Sequence, residues 1–252
     1  GEPFFDRLTV PIGITMLFIM AVAPVLPWKK SGRDALGQRL LAPAIVGVLA
    51  LAVSVFVGAT GVAPLLAFGL GGFAAGSALA QLGRAIRAQR LNGFVGRANG
   101  GMIVHLGVIL ICVALAASNS FTRSQEIDLV LGREASFAGH TFELVGFEER
   151  TDARSTSVQA LVSIDGGRAY APAITKFTRI GMNVGTPSVR TSLTHDIYLT
   201  LEPPVRQDSG QARIKVFVKP MILWLWIGTF VMVAGTALAI VPRRRRRNKE
   251  NE

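Results

Sequence analysis

The chain has 252 residues, half of them hydrophobic, with a mean hydropathy of +0.43 and a formal net charge of +11. That hydropathy excludes an ordinary soluble domain of this size and fits a membrane protein. The charge excludes a nucleic-acid partner by its placement. Residues 119–219 carry 12 Lys/Arg against 11 Asp/Glu, and the basic excess sits in short stretches beside apolar runs, whereas a nucleic-acid surface spreads it over a folded face.

In chain order, the sequence begins GEPFFDR from Gly1, without the charged n-region of a signal peptide, and reads as a piece of something longer. Apolar runs follow at 8–26, 40–57, 63–82, 101–117 and 221–241, each near the roughly 20 residues that cross a bilayer. The basic stretches 28–39, 83–97 and 242–252 alternate with them as cytoplasmic charge should. The expected fold is therefore an α-helical membrane bundle of about five transmembrane helices, with a small antiparallel β-domain inserted between helices four and five. Its parts are a four-helix region over 1–118, an external domain over 119–219, and a final helix with a basic cytoplasmic tail over 220–252. Pro11, Pro24, Pro43 and Pro64 are read near helix ends, where a missing N–H costs little. Gly69, Gly71, Gly72 and Gly76 fit either a helix contact surface or ordinary glycine use in membrane helices.

The fourth run, GGMIVHLGVILICVALAAS, carries His105. An ionisable side chain inside a span is expensive and marks a functional site by default. A neutral imidazole can ligate haem iron within a bundle. It can also simply bond a neighbouring helix or snorkel to the inner headgroups. Cys112 is the only cysteine, so it makes no internal disulfide and no CxxCH haem attachment, and it reads as a small buried hydrophobe.

Segments 125–131, 140–149, 157–164, 168–177, 196–202 and 212–218 read as strands. Turn signals separate them at Leu131-Gly132, Asp165-Gly166-Gly167, Pro203-Pro204 and Ser209-Gly210. Asp165-Gly166 has the form of a hairpin turn, and residues 179–195 read as an irregular loop. A small antiparallel sandwich or barrel follows. His140 reads as an exposed residue at a strand start, and His195-Asp196 as an imidazole that a neighbouring carboxylate could orient. Trp224 and Trp226 fit interfacial aromatics at the start of the last helix. The sequence contains no nucleophile elbow, P-loop, dinucleotide fingerprint or HExxH, so no catalytic residue is assigned.

The order of parts resembles the C-terminal portion of the CcmF family, membrane subunits of the bacterial cytochrome c maturation haem lyase. Four stretches carry the likeness: GEPFFDRLTVPIGITMLFIMAVAPVLPW, GGMIVHLGVILICVALAAS with its His-Leu-Gly, LTHDIYLTLEPP, and VKPMILWLWIGTFVMVAG. Two places depart from it, His195, where the family pattern has arginine, and the loose stretch 179–193. The resemblance implies that His105 matches the second of two transmembrane histidines holding a haem b, which supplies electrons to the haem being delivered. It also implies a tryptophan-rich segment flanked by external histidines. The three tryptophans here, Trp28, Trp224 and Trp226, form no such segment. The partner histidine and the delivery site are therefore expected in an N-terminal portion, fused or separate, without which the chain is not a competent lyase. Implied partners are that N-terminal half, the haem chaperone and the apocytochrome-handling subunits. The implied location is the bacterial inner (plasma) membrane. A reading from another class is a structural membrane anchor that presents a β-domain for protein binding, with His105 merely packed. A small transporter is disfavoured, because apart from His105 no charged residue lies well inside a span.

Overall fold

A computed structural model of the chain describes residues 2–23, 33–178 and 181–241. The readings placed on Pro24, Trp28 and the tail 242–252 lie outside the described residues. The chain divides into two compact units, one of residues 1–120 with 224–252 and one of residues 121–223.

The first unit is built from α1 (Glu2–Val22), α2 (Arg33–Phe56), α3 (Val62–Gln89), a 3₁₀ turn (Arg90–Phe94), α4 (Arg97–Phe121) and α5 (Ile222–Ile240). Among the described residues, four stretches are long and apolar enough to cross a membrane: Arg39–Phe56 in α2, then α3, α4 and α5. The apolar part of α1 among the described residues, Arg7–Val22, is shorter. The chain is a multi-pass α-helical membrane protein with a β-domain between its fourth and fifth helices. Ile45, Leu49, Phe230 and Val233 stand exposed on the helices, as residues facing lipid tails should.

α1, α2 and α4 start several residues before their apolar runs do. Pro11 and Pro43 are consequently interior to α1 and α2, not near their ends, because hydropathy marks where the bilayer begins rather than where the backbone becomes helical. Likewise α3 continues through the basic residues expected to form a loop. Its 28 residues span about 42 Å at 1.5 Å per residue.

Of the two readings of the α3 glycines, contact holds for three. A Cβ at Gly72 would lie 2.6 Å from Ala50 Cβ, one at Gly76 would lie 3.0 Å from Pro43 Cα, and one at Gly71 would lie 2.8 Å from Val113 Cγ2 of α4. Gly69 is in ordinary contact, 3.9 Å from Leu51. Small residues here let backbones approach where lipid offers no hydrophobic drive.

The second unit is built from β-strands, with one short 3₁₀ turn (Gln207–Ser209) before the last of them. Its strands are β1 (Arg123–Val130), β2 (Glu134–Phe137), β3 (His140–Asp152), β4 (Ser155–Ile164), β5 (Ala169–Tyr170), β6 (Ala173–Phe177), β7 (Asn183–Thr186), β8 (Ser188–Arg190), β9 (His195–Arg206) and β10 (Gln211–Pro220). One sheet runs β1-β10-β9-β8 and the other β2-β3-β4-β6-β7, with β5 also on β4; the ladders are antiparallel. A single core lies between them. Ile197, Leu199 and Leu201 of β9 face Phe142, Leu144 and Val162 of the other sheet, at the two-residue period a half-buried strand requires.

Three strands escape the sequence pattern. β2, β7 and β8 are three or four residues long, and β7 is exposed along its whole length, so it shows no alternation. Residues 179–195 are therefore partly strand. Pro203-Pro204 is not a turn but part of β9, where the pairing with β10 shifts register between Gln211 and Arg213. Proline lacks the ladder N–H and is tolerated at such irregularities. Asp165 and Gly166 do form the hairpin turn, with φ of 55° and 64°, closed by Gly167 N–H donating to Ile164 O at 3.0 Å, the pattern of a type I′ turn. Phe142 is fully buried in this core. Phe142→Ala should cost about 3–5 kcal/mol, read as lost amide protection across β4 and β9.

Candidate functional site

His105 lies on α4, two turns from its start, half-buried. Its Nδ1 donates to the carbonyl of Gly101, one turn earlier, at 2.7 Å. A carbonyl only accepts, so the ring proton sits on Nδ1, and in the neutral imidazole Nε2 keeps its lone pair. This is the arrangement that fixes a metal-ligating histidine's tautomer and orientation. His105 shares its helix face with Gly101 before it and with Ile109, Cys112 and Ala116 after it, by the alternating steps of four and three residues that follow one side of a helix. Those last three pack with Leu17 of α1 and Ala67 and Ala74 of α3. A Cβ built on Gly101, one turn before His105, meets nothing within 4 Å.

The turn before α4 is firmly held. Asn99, buried, donates Nδ2–H to Gly93 O at 2.6 Å, and Gly96 N–H donates to Leu238 O at the end of α5 at 3.0 Å. That bond satisfies one of the carbonyls a helix C-terminus leaves open.

The other two histidines meet in the β-domain. His140 Nε2 and His195 Nε2 are 2.9 Å apart, with ring centroids 4.9 Å apart. His140 Nδ1 lies 2.8 Å from Asp165 Oδ2, which also accepts from Arg190 at 2.6 Å, while Asp165 Oδ1 accepts from Thr141 N–H at 3.0 Å. His195 Nδ1 lies 2.9 Å from Thr194 Oγ1. Burial alone would raise the Asp165 pKa, but the hydrogen bonds from His140, Arg190 and Thr141 outweigh it and hold the carboxyl at about 2. Burial and the facing His140 push His195 below the ordinary histidine range. His140 is therefore not the exposed turn residue expected, with its side chain only 17% exposed. Asp196, beside His195 in sequence, instead turns to Thr191 Oγ1 at 3.3 Å.

No protein-family model matches the chain. Among individual proteins it is 28% identical to the cytochrome c-type biogenesis protein ccl1 of Rhodobacter capsulatus, covering 98% of this chain and 38% of that one. It is 25% identical to the cytochrome c-type biogenesis protein CcmF of Pseudomonas aeruginosa, with the same coverage. The solved structure of "Cytochrome c Heme Lyase CcmF" superposes with a TM-score of 0.75 at 21% identity, over 96% of this chain and 41% of that one. The resemblance to the C-terminal portion of CcmF stands. This chain spans about two fifths of the length of its CcmF-like relatives.

The superposed structure is named as a haem lyase, and the residues around His105 fit a haem. The imidazole presents a lone pair in a fixed direction, the space at Gly101 is open, and the neighbouring side chains are apolar. The chain has three histidines, and the two in the β-domain are engaged with each other, so His105 is the one histidine its helices offer. Sequence reasoning missed Asp165, Arg190 and Thr194 as partners of the histidine pair. The register of β3 on β4, with Phe142 opposite Ile164, is the signal that places Asp165 beside His140, and hydropathy alone does not yield it.

Proposed function

We propose that this chain is the C-terminal part of a haem lyase that attaches haem to apocytochrome c, and that His105 is one axial ligand of a haem b held among its membrane helices. The observation that carries this is the Nδ1–H bond to Gly101 O, which orients the ring and leaves Nε2 for iron. When bound, the haem supplies one-electron chemistry. The chain's own residues would hold it: His105 would offer Nε2 to the iron, Gly101 would leave room, and Ile109, Cys112 and Ala116 would keep the face apolar. A second imidazole comes from an N-terminal portion. The β-domain, on the outer side of a bacterial inner membrane with the basic tail in the cytoplasm, docks the haem chaperone and the apocytochrome-handling subunits.

The test is a visible spectrum of this chain purified alone, and again after co-expression with its N-terminal counterpart. A reduced b-type spectrum that depends on the counterpart is the expected result. No haem under either condition sinks the proposal and leaves a membrane anchor presenting a β-domain.

A further inference from the structure

The histidine pair lies outside the His105 site and has a chemistry of its own. Its members come from different sheets. His140 opens β3, and Asp165 lies in the turn after β4. His195 opens β9, and Arg190 ends β8 in the opposite sheet. The chain of contacts Arg190–Asp165–His140–His195–Thr194 therefore closes one end of the two-sheet core.

A metal ion would find only two nitrogens there. Both Asp165 oxygens are engaged, and a guanidinium shares the carboxylate. Among the described residues, no group of three or more His, Cys, Asp or Glu is placed to hold a metal.

A proton is different. Two Nε2 atoms 2.9 Å apart make a hydrogen bond only if one carries a proton and the other a lone pair. We propose that His140 and His195 form a proton-operated clip between the two sheets, closed while the pair shares one Nε2 proton and opened when both imidazoles are protonated.

The charges around the pair set the direction. Asp165 and Asp196 favour a protonated imidazole, while Arg190 and each ring's partner oppose a second positive charge. Asp165 stays ionised until the pH falls from 3.8 towards about 2, so it does not take part near neutrality. His195 is depressed in the folded chain. The unfolded chain therefore binds its proton first as the pH falls below 6.5, and the clip's contribution is complete above that value. It declines as the pH drops towards the lower folded-state midpoint.

What the clip restrains is local. Thr194, bonded to His195, accepts at its carbonyl from Met221 N–H at 3.0 Å. Met221 has a φ of 60°, an uncommon conformation for a non-glycine residue that surrounding contacts must hold. It is the residue through which β10 passes into α5. Opening the clip removes the His140 contact that anchors His195, and so one of the holds on the Thr194–Met221 bond, while Thr191 and Ser192 keep their bonds to Asp196.

The experiment uses the full chain in detergent. The imidazole ¹⁵N shifts are followed from pH 8 to 5, together with amide exchange at Met221 and residues 191–194, corrected for the intrinsic pH dependence of exchange. Protection at those amides should fall progressively as the second proton enters. In His140→Gln the His195 midpoint should move up, because a facing charge is gone. In His195→Gln the protection should lose its pH dependence. Protection that stays constant while both rings become doubly protonated overturns the proposal, as does a His195 midpoint unchanged in His140→Gln. The wild-type titration decides the matter even if a variant fails to fold.

Discussion

Replacing His105 by leucine should abolish the reduced b-type spectrum of the chain co-expressed with its N-terminal counterpart, and should lower cytochrome c yield by at least about tenfold. Leucine is close in size and fully apolar, so the change relieves α4 of an ionisable group in the bilayer and leaves packing on Ile109 and Ala116 in place. A lost spectrum therefore reports a lost ligand and not a lost helix. His105→Gly keeps the space at Gly101 and removes the ring. Added imidazole should restore part of its spectrum, which a merely packed histidine would not require. An unchanged spectrum in His105→Leu leaves the anchor reading.

How much of this was legible in the sequence depends on the kind of signal. The spans were, since the energy that places an apolar run in lipid is summed over some 20 residues and survives local noise. Helix ends were not. Arg33 and the residues after it are helical although polar, and α3 runs on to Gln89, because backbone hydrogen bonding does not stop where hydropathy does. The long strands were legible because one side of each enters a shared core with Phe142 and Leu144. In β10, for example, Ala212, Ile214 and Val216 are buried there and alternate with less buried residues. β7 has no such inner side. His105 was legible as a single polar residue against an apolar background. The pairing of His140 with His195 was not, because the two are 55 residues apart and meet only through the stacking of two sheets, for which neither composition nor periodicity carries a sign.

Gly107→Leu should unseat α5 from α4. A Cβ at Gly107 would already lie 2.5 Å from Met232 Cγ and 2.6 Å from Gly228 O, and a carbonyl oxygen moves only if its helix moves. The contact is reciprocal and repeats. A Cβ at Gly228 would lie 2.9 Å from Gly107 O, one at Gly235 would lie 2.7 Å from Val104 N, and one at Gly100 would strike Ala239. Glycines seven residues apart on each helix thus make one close antiparallel seam, of the kind that holds membrane helices by packing. Overfilling a packed site costs about 1–3 kcal/mol, and here the obstacle is backbone, so the top of that range or beyond is expected, seen as a lowered melting midpoint in detergent. Gly83→Ala is the control. Its Cβ meets nothing within 4 Å, and alanine favours a helix by roughly 1 kcal/mol over glycine. The β-domain should keep its amide protection in Gly107→Leu. The strand after α4 and the strand before α5 are bonded to each other, Arg123 opposite Val218, so the β-ladder holds its two chain ends together whether or not the seam does. A melting midpoint unchanged by Gly107→Leu would mean that the two helices do not approach this closely.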